Sequence, residues 1–430
     1  MLSSRSHRTR TLACALAAAT AVCSCTIEDD APAAPAGSPP AGAAAIAPGV
    51  SANSIKLGVA YPDLSSVKQF VNLDHGDYEA AFNTLIKKIN DAGGINGRKI
   101  VPVYAKSNLL SPAAAQETCV KLTEDEKVFA VLAVAIGEEQ ALCYAGTHKT
   151  ALVGWAQSKE AAAKVQAPWF TYFAAGDAPI GGMEVFASRG DFAGRKVAVV
   201  ANAQEQTSVD KNVLPALQGL GVTPVATGYL PNTGGDAAAY AQQANVFFQK
   251  AQSAGADTVL MVGQVSAALP QVLEKTPWRP KLLFTVPPSP YLADRGKHDF
   301  GILAGSVVAS QVPDWDDPAM QQCVRDVEQA VPALAGKLTD PAKVPSGQPQ
   351  LAFSVSAACQ TLTLFKAIAD KAGPDLNHAT FQQAGYSLGR VHIPGLRDDA
   401  TYSPQSTNGS IPIRPLTYDA ANNTYVPAGP

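Results

Sequence analysis

Read for chemistry, the chain offers amides and rings where a catalyst would need an activated nucleophile. Polar groups gather in stretches that each follow an apolar, strand-like run: Tyr61 to Ser66, Ala135 to Glu139, Trp155 to Ser158, Ala203 to Gln206, Gly263 to Ser266 and Pro287 to Tyr291. Loops at the carboxyl ends of parallel strands are where such sheets hold ligands. Within them Tyr61, Trp155 and Tyr291 bring rings, and Gln157, Gln204, Gln206 and Gln264 bring amides. Ser266 brings a hydroxyl, Ile136 and Gly137 a backbone, and Asp63, Glu138 and Glu205 bring charge. This set suits a neutral polar or cationic solute that stacks on a ring and makes directional hydrogen bonds. Plainer readings stand beside it: Trp155 packs beneath its loop, the glutamines are surface, and Glu138 with Glu139 neutralises the first turn of a helix.

Enzymatic motifs fail on context. Gly385-Tyr386-Ser387-Leu388-Gly389 matches the GxSxG elbow of serine hydrolases, which needs a strand, a sharp turn and a helix. Here a helical run precedes it and the extended Val391 to Pro394 follows, so a serine hydrolase is the weakest of the functions considered. The six histidines include no pair at metal-binding i, i+4 spacing, and no CxxC or His/Cys pattern suggests zinc. No GxGxxG, P-loop or EF-hand occurs, so neither a cofactor nor a metal is expected. Asn408-Gly409-Ser410 fits a glycosylation triplet by chance.

The positioning elements follow from periodicity. Tyr78, Ala81, Phe82, Leu85, Ile86 and Ile89 form one apolar helix stripe, with Lys87, Lys88 and Asn90 expected to face out. Gly93-Gly94 ends that helix, Asn96-Gly97 turns, and Ile100 to Tyr104 resumes as a strand. With Ile55 to Ala60 before the helix, this makes a strand–helix–strand unit. Ser111-Pro112 reads as N-cap and first helical residue, and strands are expected at Val128 to Val134 and Thr150 to Trp155. A second series has strands at Lys196 to Ala201, Val222 to Tyr229, Asp257 to Val262, Lys281 to Thr285 and Gly305 to Ser310. Its helices lie near Val209 to Leu220 and from Asp236 to Ala254. The shared rhythm predicts an α/β protein of two similar doubly wound lobes.

Arg5, Arg8 and Arg10 followed by the apolar Leu12 to Ser24, too short for a bilayer span, predict an export signal over residues 1–25. Residues 26–50, rich in Ala, Pro and Gly, read as a tether, and the remainder suits two lobes. A net charge of −3 with 16% charged residues gives no basic field for nucleic acid. Of seven cysteines, Cys14, Cys23 and Cys25 fall in the signal. Cys119, Cys143, Cys323 and Cys359 remain, and in an oxidising compartment they can pair in any of three ways.

Val22-Cys23-Ser24-Cys25 resembles a bacterial lipobox, with Cys25 as the lipidated residue. Choosing Cys23 instead would place bulky Val22 at the cleavage position. Several acyl chains would hold the protein at the outer face of the cell membrane or in the periplasm, by the anchor alone. Ile55-Lys56-Leu57-Gly58-Val59, followed by Asn90-Asp91-Ala92-Gly93-Gly94-Ile95-Asn96-Gly97-Arg98-Lys99, resembles the opening of the branched-chain amino-acid-binding family of ABC-importer receptors. The resemblance runs more weakly from about Ser54 to about Tyr418, and implies a periplasmic binding protein type I fold whose chain crosses three times between lobes. Those crossings fall near Ala175, Gln311 and Leu396, giving a first lobe of 51–175 with 311–395 and a second of 176–310 with 396–430. It also implies a bridge Cys119–Cys143, beside which Cys323 with Cys359 is the expected second pair, and ABC permease subunits as partners. A sensing or scaffold module of the same fold is the alternative. In amino-acid-binding members, the loop matching Ala135 to Glu139 carries hydroxyls for the ligand carboxylate, and the loop matching Val286 to Pro290 carries an acid for its ammonium. Neither is present here, so a ligand other than a branched-chain amino acid is expected.

Overall fold

The computed structural model describes residues 47–67, 74–108, 111–154, 157, 159–172, 178–231, 233, 236–293, 298–344 and 348–428. The export signal, Cys25, most of the tether, the Ala175 crossing and Trp155 lie outside them. Two parallel sheets organise the chain. The first contains β1 Ser54–Asp63, β2 Lys99–Asn108, β3 Ala130–Ala133, β4 Ala151–Val153 and β5 Trp169–Phe170, in the order β2-β1-β3-β4-β5. The second contains β6 Val197–Asn202, β7 Ala226–Leu230, β8 Thr258–Met261, β9 Lys281–Phe284 and β10 Val307–Ser310, in the order β7-β6-β8-β9-β10. One topology is therefore used twice, as the shared rhythm predicts. A short pair, β11 Gly389–Val391 with β12 Ala400–Tyr402, is antiparallel, and β13 Arg414–Asp419 with β14 Thr424–Pro427 extends the second sheet antiparallel beyond β10.

The helix Tyr78–Asp91 begins where the Asp77 carboxylate accepts from Ala80 N–H, and buries Tyr78, Ala81, Phe82, Leu85 and Ile86. It ends at Gly93 and Gly94, whose φ values of 107° and 77° fall in the left-handed region. Asn90 departs from its expected outward position. Its Nδ2 donates to Ile100 O at 2.9 Å and its Oδ1 accepts from Ile100 N–H at 2.7 Å, clamping the helix end to β2. Periodicity counts an amide as polar and cannot see that a neighbouring strand offers it both partners.

After β10 the chain returns to the first sheet. The helices Pro318–Ala330 and Ala352–Ala372 lay Met320, Val324, Val355, Leu362 and Phe365 against Ile55, Leu57, Phe82 and Phe129, forming the main core. Ala352–Ala372 is apolar and long enough to cross a membrane, but its apolar stretch is 67% buried inside the protein, as suits a core helix. A second core joins Val200, Phe248, Met261 and Phe284 around the second sheet. Both expected bridges are present: Cys119–Cys143 and Cys323–Cys359, with Cα separations of 6.3 Å and 6.1 Å. Ala47–Val50, expected in the tether, belongs to the fold. Ala47 is buried, and Lys56 N–H donates to Gly49 O at 2.7 Å.

Candidate ligand-binding site

In each sheet the strand order reverses between two neighbours, β1 and β3 in the first and β6 and β8 in the second. Loops leaving such neighbours diverge and open a crevice at their carboxyl ends. In the second sheet a cavity of about 420 Å³ lies there, lined by Asn202, Gln204, Glu205, Pro231, Thr233, Tyr240 and Gln264. Glu205 ties the two diverging loops together: Oε2 accepts from Asn202 N–H at 3.2 Å and Oε1 from Gln264 N–H at 3.0 Å. Gly263, at φ 71°, allows this approach, since a Cβ there would fall 1.8 Å from Glu205 Oε1. Burial raises the Glu205 carboxyl above its ordinary range, although the Gln264 and Asn202 N–H groups pull it back.

Of the expected residues, Gln204 and Gln264 line this cavity. Gln206 does not; it is exposed, and its Nε2 reaches Asp210 Oδ2 at 3.4 Å one helical turn on. Ser266 is buried, with its hydroxyl donating to Gly263 O at 3.1 Å, which makes it a loop brace rather than a ligand group. Tyr291 is likewise corrected. Its ring packs 5.2 Å from Phe300, and its buried hydroxyl is held between Glu274 Oε2 at 2.8 Å and Asp299 O at 3.0 Å. The Glu274 carboxylate satisfies the phenol inside the protein, so the ring is spent on packing.

In the first sheet a cavity of about 550 Å³ is lined by residues including Tyr61, Asp63, Ser65, Asp74, Asp77, Tyr78, Glu79 and Lys106. Tyr61 donates to Glu79 and sits 5.2 Å from the Tyr78 ring. Burial first, then Glu79, raises its phenol far above the usual range. The Asp63 carboxylate accepts from Ser65 N–H at 3.1 Å and the Ser65 hydroxyl at 2.6 Å, shaping its own loop. His75, stacked 4.2 Å from Phe353, is lowered by burial to about 4.

At the end of β3, Ala135 adopts φ 48°, unusual for a residue with a side chain. Ile136 turns its side chain into the core beside Tyr144. Gly137 is the N-cap of the helix Glu138–Leu142, and both Gly137 and Glu138 are exposed. Gln157 is buried, and its Oε1 accepts from the Thr407 hydroxyl at 2.8 Å, joining its loop to a distant one.

A search confined to loops overlooks Glu79 and Tyr240, which reach the cavities from the first turns of helices. Asp77 and Asp236, cap residues that announce those helices, are the signals that locate them. Among the described residues, one group brings metal-ligating atoms together: Cys119, Cys143 and His148. Its sulfurs are bonded to each other and are not thiolates. Ser387 closes the helix His378–Tyr386, and its hydroxyl donates to Gln383 O at 2.9 Å, as expected for a helix end.

A family profile described as periplasmic binding protein matches residues 54–405. The chain belongs to that family. Among solved structures, this binding protein is similar to an ABC transporter substrate-binding protein from Desulfitobacterium hafniense in complex with Leu, at 14% identity. That match covers 87% of this chain and 100% of the other, with a TM-score of 0.59. A periplasmic binding protein type 1 from Bordetella pertussis Tohama I matches at 15% identity, over 87% and 100% of the two chains, with a TM-score of 0.60. A fatty acid ABC transporter substrate-binding protein from Thermomonospora curvata matches at 16% identity, over 89% and 93%, with a TM-score of 0.59. Comparison with curated proteins finds no match. The fold is that of type I periplasmic binding proteins, and the family is one of extracytoplasmic solute receptors rather than enzymes.

Proposed function

We propose that this binding protein captures a small organic solute between two lobes and delivers it to ABC permease subunits, while Cys25 anchors it to the membrane by lipid alone. The observation that carries the reading is the repeated strand order, whose reversal in the second sheet opens onto a polar cavity, with another polar cavity beside the carboxyl end of β1 in the first. The lobes comprise 47–175 with 311–411, and 176–310 with 412–430: the resemblance puts the last crossing near Leu396, but Ala400, Tyr402 and Ile411 pack in the first core and β12 pairs with β11. Hydrogen bonds where the segments meet support the division: Gln311 Nε2 to Tyr172 O at 3.0 Å and Arg397 N–H to Val312 O at 3.0 Å. A solute touching both cavities binds the closed form better than the open one, and only that difference drives closure.

The solute is not leucine, isoleucine or valine. Relatives named for Leu and for a fatty acid share this fold, so the fold leaves the ligand open. Ala135 to Glu139 has no hydroxyl for a ligand carboxylate, and Val286 to Pro290, the loop that carries the acid in amino-acid-binding members, has none; even with another acid for the ammonium, the carboxylate is left unmatched. Isothermal titration of the ligand-free protein should give no micromolar binding of any of the three. Micromolar affinity for one of them would refute this assignment of the loops.

A further inference from the structure

Among the described residues lining the second-sheet cavity, Glu205 is the acid and there is neither lysine nor arginine. Each Glu205 oxygen takes one backbone N–H and keeps further acceptor capacity. Facing the same space from the helix Ala237–Ser253 is Tyr240. Its buried hydroxyl oxygen has no hydrogen-bond partner among the described residues. Burial, then the charge of Glu205, pushes that phenol up to about 12. A desolvated carboxylate and an unpartnered buried hydroxyl in one cavity form an incomplete arrangement, because both are costly to leave without partners.

We propose that this cavity recognises a protonated primary or secondary amine carried by the solute. Glu205 supplies the counter-charge, and Tyr240 Oη with the side-chain carbonyls of Gln204 and Gln264 accepts the N–H donors. The inference deepens the receptor reading and rests on it. An anion would meet a half-buried carboxylate with no cation among the described lining residues to offset it. A neutral polyol would satisfy hydrogen bonds but leave the Glu205 charge uncompensated. A quaternary ammonium has no N–H for these acceptors and needs several ring faces, whereas Tyr240 is the one ring among the described residues lining the cavity. The first-sheet cavity has the same sign, with Asp63, Asp74, Asp77 and Glu79 set against Lys106, so the field there also favours a cation.

The test is isothermal titration of the purified protein with diaminobutane, butanediol and tetramethylammonium, using wild type, Glu205→Gln and Tyr240→Phe. The diamine should bind about tenfold or more tightly than the other two, and Glu205→Gln should weaken it by about tenfold or more, as loss of a charge-assisted pair requires. Tyr240→Phe should weaken the diamine by about threefold to tenfold, the loss of a single hydrogen bond. It should also leave the unliganded melting temperature unchanged or higher, because its hydroxyl has no partner among the described residues. A lower melting temperature would mean the protein itself holds that hydroxyl, and would overturn the assignment. Equal binding of the diol, or diamine binding unaffected by both variants, overturns the ammonium site and leaves the receptor standing. The ammonium site falls in the same way if the diamine fails to bind while another solute in a broad screen binds. Failure of every solute overturns both readings.

Discussion

Removing the Cys323–Cys359 bridge tests how the first sheet is held together. The bridge joins the helices Pro318–Ala330 and Ala352–Ala372, which supply much of the core on β1 and β3. It closes a sequence separation of 36 residues, so the chain-entropy relation assigns it about 3.8 kcal/mol at 25 °C. Replacing both cysteines with alanine also removes sulfur from a packed position, since Cys359 is buried. That adds roughly 1 kcal/mol, for a total loss of about 4 to 5 kcal/mol. Urea unfolding followed by circular dichroism should show a lower midpoint. It should also show a larger m value, because the unlinked denatured chain exposes more surface. Hydrogen exchange locates the loss: protection should fall in the two bridged helices and stay unchanged in β6 to β10, whose core contains neither cysteine. A stability change under about 1 kcal/mol, or an unaltered m value, would refute the denatured-state explanation. An equal loss of protection in β6 to β10 would refute the assignment of both helices to the first core.

Other expectations can be checked alongside. His392 lies between Asp317 Oδ2 at 3.0 Å and Asp399 Oδ1 at 3.2 Å; burial opposes its protonation, but the two carboxylates win and raise its pKa above the ordinary value. A raised histidine stabilises fully below about 6.5 and loses that contribution as pH climbs through its folded value, so His392→Gln should cost on the order of 1 kcal/mol at pH 5.5 and progressively less toward pH 9 in thermal melts, the exposure of the ring keeping the figure small. Equal losses at both pH values would exclude the charged pair. Gly385→Ala would set a Cβ 2.1 Å from Phe170 Cζ and should cost about 1 to 3 kcal/mol in a urea titration; a neutral result would mean the ring yields freely. Changing Cys25 to alanine should release the protein from the membrane fraction or leave its signal uncleaved, and undiminished acyl labelling would reject the anchor.

Much of the scaffold is legible in the sequence because hydrophobic period reports which face of an element is buried. The stripe from Tyr78 to Ile86, the Ser111-Pro112 start and the strands near Val197 and Thr258 all follow from that rule. Site residues are less legible because a polar side chain has the same sequence signature whether it faces a ligand, a backbone or solvent. Gln157 is occupied by Thr407, 250 residues away, and Tyr291 by Glu274; no local pattern encodes either pairing. Glu205 and Gln264 come together for a topological reason, since only the order β6-β8 makes their loops neighbours. Glu79 and Tyr240 lie on helix starts, beyond a search limited to loops.

For the proposed closure, the returning segments must move as a unit. Asp314 N–H donates to Gly395 O at 2.8 Å, Gly395 N–H donates to Asp317 Oδ2 at 2.8 Å, and Pro313 and Leu396 form an antiparallel bridge. Gly395 is fixed within this strap: its φ is 80°, and a Cβ would fall 2.7 Å from Met320 Cε. Its carboxylate partner Asp317 also caps the helix Pro318–Ala330, so the strap is continuous with the first core. Bending inside it would break several partly buried hydrogen bonds at once, at roughly 1 kcal/mol each. Rotation of the second lobe is cheaper on the far side, where β10 ends at Ser310 and the chain leaves Ile411, the last residue in the first core, for β13. The Arg414–Asp398 pair sits there, with both N–H···O contacts at 2.6 Å and the arginine half exposed. Water can replace such an exposed pair at little net cost, which makes it a suitable place for the angle to change.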